Sequence, residues 1–382
     1  MTRGQSTGGM VELQYRCWTC GRTYPLSEAV WRCDCGGHLN SEGARDLHRE
    51  DVIADRFSLW RYEKALPLSL AEAATDFQEG LTPLVGAVWE GRDVRLKLDY
   101  MMPTGSFKDR GTTVVANYLK KLGVGHVLED SSGNAGASIA AYCAAVDIEC
   151  DVYVPASTSV GKLFQIEMYG ARLVRIAGSR EDVAQAALEA AKTTFYASHN
   201  WHPLFLEGTK TLAFELWEQL GWQAPDNVIV PLGMGSALLG LYKGFRELAQ
   251  AGEIDVMPRL FGVQARNCAP FYSLFTYGYA GVKTQPTIAE GIACAKPLRG
   301  PEAVYAVTST GGAMEIADED EIVSAVTGAA RLGFCIEPTS ATALAGAARL
   351  FKSGACPPGE TTVVVLTGNG LKSMDMIIGA AR

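Results

Sequence analysis

Short runs of β-branched residues alternate with longer helical stretches, and this alternation constrains the fold more than any other feature of the chain. Strands are predicted at 94–98, 126–129, 151–154, 173–176, 228–232, 260–263, 304–307 and 362–366. Helices are predicted between them at 107–122, 135–145, 182–193, 209–220, 237–250, 320–331 and 339–351. Such alternation forms parallel sheets with right-handed crossovers and helices on both faces. Because these sheets bind ligands at the carboxyl ends of their strands, we expect the functional residues at strand-to-helix turns.

The composition excludes several classes of protein. A chain of 382 residues, 48% hydrophobic and 20% charged, can bury a sizeable core and is long enough for two or three domains. Its net charge of −8 opposes binding to nucleic-acid phosphates. We find no apolar run of the roughly 20 residues that span a bilayer, and residues 1–10 lack the apolar stretch of a secretory signal. Ten cysteines in such a chain indicate reduced thiols, so we expect a cytoplasmic α/β enzyme without nucleic-acid or membrane partners.

The first 45 residues differ from the rest because they contain two cysteine pairs. The first pair, Cys17 and Cys20 in CWTCG, has the spacing of a metal-binding knuckle. The second pair, Cys33 and Cys35 in CDCGG, is one residue short of that spacing, and His38 lies nearby. Two interpretations remain open, namely a zinc-ribbon-like segment with bound zinc and a related segment that folds without metal. Any metal held by four cysteines would be structural, because no coordination position stays free.

The first of three notable turns is PTGSFKDRG at 103–111, which leads into an apolar helix. Lys108 falls at the start of that helix, where the positive end of the helix dipole disfavours an ammonium ion. A lowered amine pKa is what Schiff-base chemistry needs, so Lys108 is a candidate catalytic residue. An exposed lysine in the first helical turn is the alternative.

The second turn, DSSGNAGA at 130–137, follows a predicted strand and opens a helix of small residues. Backbone N–H groups and two hydroxyls at a helix N-terminus form an anion site suited to a carboxylate. The candidate substrate-binding residues are Ser131, Ser132, Gly133 and Ala135. A simple Ser/Asn cap with a glycine for close packing is the alternative.

The third turn, GMGSA at 233–237, follows the apolar run VIVPL and opens another helix. Glycines let the backbone approach a phosphate while the helix dipole neutralises its charge. The Gly-Lys-Ser/Thr ending of a triphosphate-binding loop is absent, and Leu238 stands where a dinucleotide fingerprint needs its third glycine. A single phosphate monoester fits best. Together, an imine-forming lysine, a carboxylate site and a monophosphate site describe a pyridoxal-phosphate enzyme that handles an α-amino acid.

At these residues the chain resembles the threonine synthase family, within the tryptophan-synthase-β-like pyridoxal-phosphate enzymes of fold type II. The resemblance also covers the cysteine-rich start, LEGTKT at 206–211, KGF at 243–245, EPTSA at 337–341 and TGNGLK at 367–372. It implies two three-layer domains with parallel sheets behind a short zinc-ribbon-like N-terminus. Residues 1–45 would form that segment, 46–109 and 201–382 the large cofactor-binding domain, and 110–200 the small domain that binds the substrate carboxylate.

The resemblance also implies residue roles. Lys108 would form the Schiff base, and Asn134 would hydrogen-bond the 3′-oxygen of the cofactor. Thr367 would face the pyridine nitrogen, and because a hydroxyl stabilises a protonated ring less than a carboxylate does, the cofactor would favour elimination and replacement over transamination. The 5′-phosphate would be held by Gly233, Met234, Gly235, Ser236 and Ala237.

The substrate region departs from the family pattern. Threonine synthases usually have an arginine just before Leu-Glu-Gly that binds the phosphate of O-phosphohomoserine, whereas this chain has Phe205. An aromatic ring cannot replace a guanidinium toward a dianion. The SSGNAG and TIAEGI segments, at 131–136 and 287–292, look more like serine and threonine ammonia-lyases. His199 and His202 are candidates for contact with a leaving group or for a general acid, and packing in a Trp/Pro-rich loop is their alternative.

These departures decide the predicted function. We expect a lyase that acts by elimination or replacement at the β-carbon of a small, serine- or threonine-type amino acid. Threonine synthase proper, converting O-phosphohomoserine to threonine and phosphate, is the alternative. A non-catalytic cofactor-binding protein is disfavoured, because Lys108 and both anion sites are retained. A homodimer remains open.

Overall fold

The computed structural model describes residues 13–43, 46–279, 281 and 283–380, so the absence of a signal in residues 1–10 lies outside the described part. The strands are β1 (Gln14–Cys17), β2 (Thr23–Pro25), β3 (Leu39–Glu42), β4 (Leu84–Trp89), β5 (Arg92–Lys97), β6 (His126–Glu129), β7 (Glu149–Pro155), β8 (Arg172–Ile176), β9 (Phe195–Tyr196), β10 (Asn227–Pro231), β11 (Arg259–Ala265), β12 (Ala313–Ala317) and β13 (Thr362–Val365). The helices are α1 (Lys108–Lys121), α2 (Asn134–Ala145), α3 (Val160–Met168), α4 (Arg180–Ala190), α5 (Leu204–Thr209), α6 (Thr211–Gln219), α7 (Ser236–Gln250), α8 (Pro270–Tyr277), α9 (Gly300–Ser309), α10 (Glu319–Arg331), α11 (Pro338–Ser353) and α12 (Met374–Ala380).

The larger sheet has six strands in the order β12-β11-β10-β13-β5-β4. All neighbours in it are parallel except β4 and β5, which form an antiparallel hairpin. Its two middle strands, β10 and β13, are buried throughout and mostly apolar because both faces are covered. Successive residues of β13 point to opposite faces, so Val363 and Val365 pack with α6 and α7 while Val364 packs with α11. The result is a three-layer helix–sheet–helix arrangement.

The smaller sheet has four parallel strands in the order β8-β7-β6-β9, all from residues 126–196. Helices α1, α2 and α3 cover one face, where Val127 and Val152 are buried. Helix α4 covers the other face through Ala187, which packs with Leu128. The predicted parallel α/β class is therefore confirmed, whereas the exact domain boundaries remain a prediction.

The cysteine-rich segment forms a third, antiparallel sheet in the order β2-β1-β3. Its inner side joins the core beside α5, with Tyr15 and Leu39 buried in the same cluster as Phe205. Ser41 donates a hydrogen bond to the carboxylate of Glu207 in α5. The segment is thus packed directly against the body of the protein.

One predicted strand is wrong: residues 304–307 belong to helix α9. The run is apolar and partly β-branched, and a short run of that kind does not distinguish a strand from a buried helix. The buried residues Ala303, Ala306 and Val307 have the i, i+3, i+4 spacing of a helix face. The strand of this region is β12, which begins at Ala313.

Across the described ranges, none of the helices is long and apolar enough to cross a membrane.

Candidate active site

Lys108 is the first residue of α1, and its amine reaches toward the larger sheet. The Nζ atom lies 3.5 Å from the Oγ atom of Ser236, at the turn before α7. Burial lowers the pKa of Lys108 to about 8, and the negative charge of Glu129 opposes part of that shift. The helix start is therefore as predicted, but burial is the largest cause of the lowered pKa. Such an amine is more often neutral and nucleophilic at physiological pH than an ordinary lysine.

The turn at 233–237 connects β10 to α7 and presents the N-terminus of a 15-residue helix. Gly235 has a φ of 94°, a left-handed conformation that residues with a Cβ rarely adopt. A Cβ on Gly233 would lie only 3.1 Å from the Cα atom of Ile292, so the backbone is closely approached there as well. Met234, Ser236 and Ala237 complete the turn. Free N–H groups at such a helix start suit a phosphate, and Lys108 lies beside them.

The turn at 130–133 connects β6 to α2, which begins at Asn134. Gly133 donates its N–H to the Oγ atom of Ser131 at 3.3 Å. A Cβ on Gly136 would lie 1.9 Å from the carbonyl oxygen of Ser131, so only glycine permits this close turn. Ser132 is half-buried, whereas Ala135 packs inside. The turn therefore presents hydroxyls and the N-terminus of a helix at the carboxyl end of the smaller sheet.

The loop after β13 contacts the segment that carries Lys108. Thr367 is buried, with its Oγ1 atom 3.3 Å from the Oγ atom of Ser340. Its carbonyl oxygen accepts the N–H of Phe107 at 3.0 Å, which places Thr367 against the segment that carries Lys108. The structure therefore brings the lysine, the phosphate-type turn and the threonine hydroxyl to one edge of the larger sheet.

Glu337 is a site residue for which the sequence analysis assigned no role. Both of its carboxylate oxygens accept from the Nδ2 atom of Asn134, at 3.1 and 3.0 Å. Burial raises the pKa of Glu337 to about 7, although Lys372 and Asn134 oppose the shift. A Cβ on Gly368 would lie 1.9 Å from Oε2 of Glu337, so the TGNGLK segment and the glutamate are in close contact. The EPTSA motif was the available signal, but nothing in it indicated a contact with Asn134.

Phe205 lies close to Lys108, as the substrate-site argument requires. Its side chain is buried, and its ring centroid lies 5.6 Å from Nζ of Lys108. Two arginines of neighbouring segments are already paired, Arg110 with Asp99 and Glu215, and Arg180 with Asp130. The structure thus puts an aromatic ring beside the lysine. The guanidinium groups of these two arginines are already bound by carboxylates.

The four cysteines converge although the second pair is one residue short. The Sγ atoms of Cys17, Cys20, Cys33 and Cys35 all lie within 4.8 Å of one another. His38 is directed elsewhere, because its Nε2 atom lies 2.9 Å from a carboxylate oxygen of Glu302. The geometry is compatible with one tetrahedral metal ion bound by four sulfur atoms.

The comparisons with known proteins show the family of the chain. Residues 75–368 match the model of a family described as pyridoxal-phosphate dependent enzymes. The chain therefore belongs to the pyridoxal-phosphate-dependent enzymes of fold type II. Within them it is similar to proteins named threonine synthase. One, from Methanocaldococcus jannaschii, is 36% identical over 96% of this chain and 95% of its own length. Another, from Methanosarcina acetivorans, is 32% identical over 95% of this chain and 93% of its own length.

Solved structures show the same fold at lower sequence identity. An L-serine ammonia-lyase from Rhizomucor miehei has a TM-score of 0.68 and 20% identity, over 79% of this chain and 98% of its own. A threonine deaminase from Solanum lycopersicum has a TM-score of 0.67 and 20% identity, over 78% of this chain and 83% of its own.

The residues of the site fit the cofactor of this family. Pyridoxal phosphate needs an amine for its aldehyde, N–H groups for its phosphate and a polar partner for its ring nitrogen. Lys108, the turn at Gly235 and Thr367 offer these at one place. Ser106 adds a buried hydroxyl that has no hydrogen-bond partner within the described part of the chain. The donor set is therefore compatible with pyridoxal phosphate.

Proposed function

We propose that the protein catalyses elimination or replacement at the β-carbon of a small, unphosphorylated hydroxy-amino acid such as serine or threonine. Pyridoxal phosphate, when bound, supplies an electron sink for charge that develops at the α-carbon of the substrate. Lys108 would hold the aldehyde carbon and accept or return the α-proton at Nζ, a role for which a pKa of about 8 is well suited.

The remaining roles follow the same arrangement. The turn at 233–237 would hold the 5′-phosphate, and Asn134 would hydrogen-bond the 3′-oxygen. Thr367 would face the ring nitrogen through a hydroxyl, which favours elimination and replacement over transamination. The substrate carboxylate would be bound by Ser131, Ser132, Gly133 and Ala135. These four residues fall within the small domain predicted at 110–200.

The observation that carries this proposal is the buried Phe205 ring, 5.6 Å from Nζ of Lys108. A phosphate dianion that enters an aromatic-lined pocket loses its hydration and gains no matched cation. A neutral hydroxyl loses much less. The missing charged hydrogen bond would cost about 1.5–3 kcal/mol, or roughly 10- to 150-fold in affinity.

Substitution at Phe205 tests the proposal. Phe205→Arg should raise kcat/KM for O-phosphohomoserine and lower it for serine and threonine. Phe205→Met, which stays apolar and of similar volume, is the matched control and should leave the order of substrates unchanged. If Phe205→Arg gains nothing toward O-phosphohomoserine while it retains bound cofactor and a folded circular dichroism spectrum, Phe205 does not determine the substrate class.

Threonine synthase proper is the second candidate, because relatives of that name are 32–36% identical over nearly the whole chain. In that case the phosphate must be held by groups other than a guanidinium at position 205. Formation of threonine and inorganic phosphate from O-phosphohomoserine by the wild-type holoenzyme would favour this candidate.

We also propose that Cys17, Cys20, Cys33 and Cys35 bind one structural zinc ion. The mutual approach of their Sγ atoms supports this proposal. Because the cysteine-rich segment packs on α5 through Ser41 and Glu207, zinc would stabilise the wall of the site at Phe205. Elemental analysis should give one zinc per chain, and Cys17→Ser with Cys33→Ser should remove it. Wild-type protein that stays metal-free after purification in zinc-containing buffer would contradict the proposal.

A further inference from the structure

A buried carboxylate and an imidazole form a pair at the end of β6. The imidazole is His199, for which the sequence left open a contact with the leaving group, a general-acid role and simple packing. Glu129 is the last residue of β6 and is fully enclosed by protein. Its Oε2 atom accepts the backbone N–H of His199 at 3.1 Å, and its Oε1 atom lies 3.1 Å from Nδ1 of the His199 ring. The backbone N–H of Asp130 also donates to Oε1, at 3.0 Å. These contacts fix both the carboxylate and the plane of the imidazole.

The contacts also bear on which ring nitrogen of His199 carries the proton. Burial raises the pKa of Glu129, while the backbone N–H groups of His199 and Asp130 and the charge of Arg180 favour its ionised form. In that form the carboxylate can only accept from Nδ1. Burial lowers the pKa of His199 well below its ordinary value, with the charge of Lys108 as the next contribution. Beside an ionised Glu129, the neutral ring carries its proton on Nδ1. Its Nε2 atom presents a lone pair that no residue of the described ranges uses.

The His199 ring lies next to Phe205, in the region where we propose that the substrate binds. Its centroid is 5.9 Å from that of Phe205, and the Phe205 ring is in turn 5.6 Å from Nζ of Lys108. The side chain of His199 keeps 10% of its surface exposed. His202 differs because it is buried among the rings of Tyr15, Tyr118 and Phe195, so its role is packing.

We infer that Nε2 of His199 accepts a hydrogen bond from the side-chain hydroxyl of the substrate, and that Glu129 is the positioning residue that holds the ring. This inference rests on the proposed function and names a determinant of its substrate class. A lone pair attracts an O–H group and repels a phosphate oxygen, so His199 and Phe205 would select the same substrates by different means. His199 orients the hydroxyl and takes no proton from it, because the departing oxygen must gain a proton.

The test compares two substrates that differ in their leaving groups. Serine has a hydroxyl that can donate to Nε2, whereas β-chloroalanine has a chlorine that cannot. In the holoenzyme, His199→Phe should lower kcat/KM for serine about 10- to 100-fold, the cost of leaving a buried donor unpaired, and should change β-chloroalanine turnover less than threefold. His199→Gln, whose amide oxygen can accept, should restore part of the serine activity.

A second measurement examines the pair without catalysis. Nitrogen-15 spectra of histidine-labelled protein should show His199, assigned by its loss in His199→Phe, as the neutral form protonated at Nδ1. Glu129→Leu, which removes the acceptor, should change that signal and lower serine turnover while it spares β-chloroalanine. Equal losses on both substrates in His199→Phe, no loss on serine, or a ring protonated at Nε2 would overturn the inference. Wild-type enzyme inactive on both substrates would instead overturn the proposed function, and the inference with it.

Discussion

Replacing Lys108 with methionine should stabilise the cofactor-free protein. Lys108 has a pKa of about 8 in the folded chain against 10.5 in its ordinary state, mainly through burial. One pKa unit corresponds to about 1.4 kcal/mol, so keeping the ammonium form buried costs about 3 kcal/mol. The rings of Phe107 and Phe205, 4.7 and 5.6 Å from Nζ, attract the cation. We therefore expect Lys108→Met to raise the free energy of unfolding by about 2–3 kcal/mol near pH 7.

The pH dependence gives the sign of this effect. Below pH 8 the lysine is protonated in both the folded and the unfolded chain, and the folded chain bears the full cost. Between pH 8 and 10.5 the unfolded chain binds more protons, so wild-type stability rises relative to Lys108→Met. Above pH 10.5 the contribution from charge vanishes.

Urea unfolding of both cofactor-free proteins at pH 7, 9 and 10 measures this difference. The advantage of Lys108→Met should be constant up to pH 8 and should then shrink by about 1.4 kcal/mol per pH unit. Lys352→Met, at an exposed position in α11, is the control and should show no such change. A wild-type protein that is more stable than Lys108→Met near pH 7, or a difference that does not vary with pH, would refute the burial of this amine.

Two further predictions concern the turn at 233–237 and the carboxylate beside Asn134. Gly235→Asp should weaken cofactor binding, measured by titration, much more than Gly235→Ala does. Both variants incur the strain of a side chain at a φ of 94°, about 1–2 kcal/mol, but only aspartate places a negative charge near the phosphate; equal affinities would put the phosphate elsewhere. Glu337→Gln should stabilise the cofactor-free protein by up to about 3 kcal/mol above pH 7, because the folded-state pKa is raised from 4.5 to about 7. That advantage should disappear as the pH falls to 4.5, and a difference that persists in acid would contradict the assignment.

The sequence predicted the fold class and the three turns well, because both depend on local patterns. The run VIVPL followed by GMGSA specifies a buried strand, a turn and a helix start within a few residues. The same local reasoning failed at 304–307, where an apolar run has no feature that excludes a helix. Local patterns alone are ambiguous for short buried segments.

Contacts between distant segments could not be predicted from one sequence. Glu337 reaches Asn134 across 203 positions, and Glu129 reaches His199 across 70. The packing of the two sheets brings Glu337 to Asn134, whereas the pairing of β6 with β9 inside the smaller sheet brings Glu129 to His199. The low pKa of Lys108 was expected for a different physical reason, the helix dipole, because burial cannot be read from a motif. The approach of the four cysteine Sγ atoms likewise depends on the three-dimensional fold of the N-terminal segment, which the spacing alone does not give.

The most direct test of the central claim compares substrates of the wild-type holoenzyme in one preparation. Initial rates with serine, threonine and O-phosphohomoserine should be followed by release of ammonia and of inorganic phosphate. The account predicts a higher kcat/KM for serine or threonine, with ammonia as a product, and a lower value for O-phosphohomoserine. Efficient release of phosphate with formation of threonine from O-phosphohomoserine, and no ammonia from the other two, would contradict it.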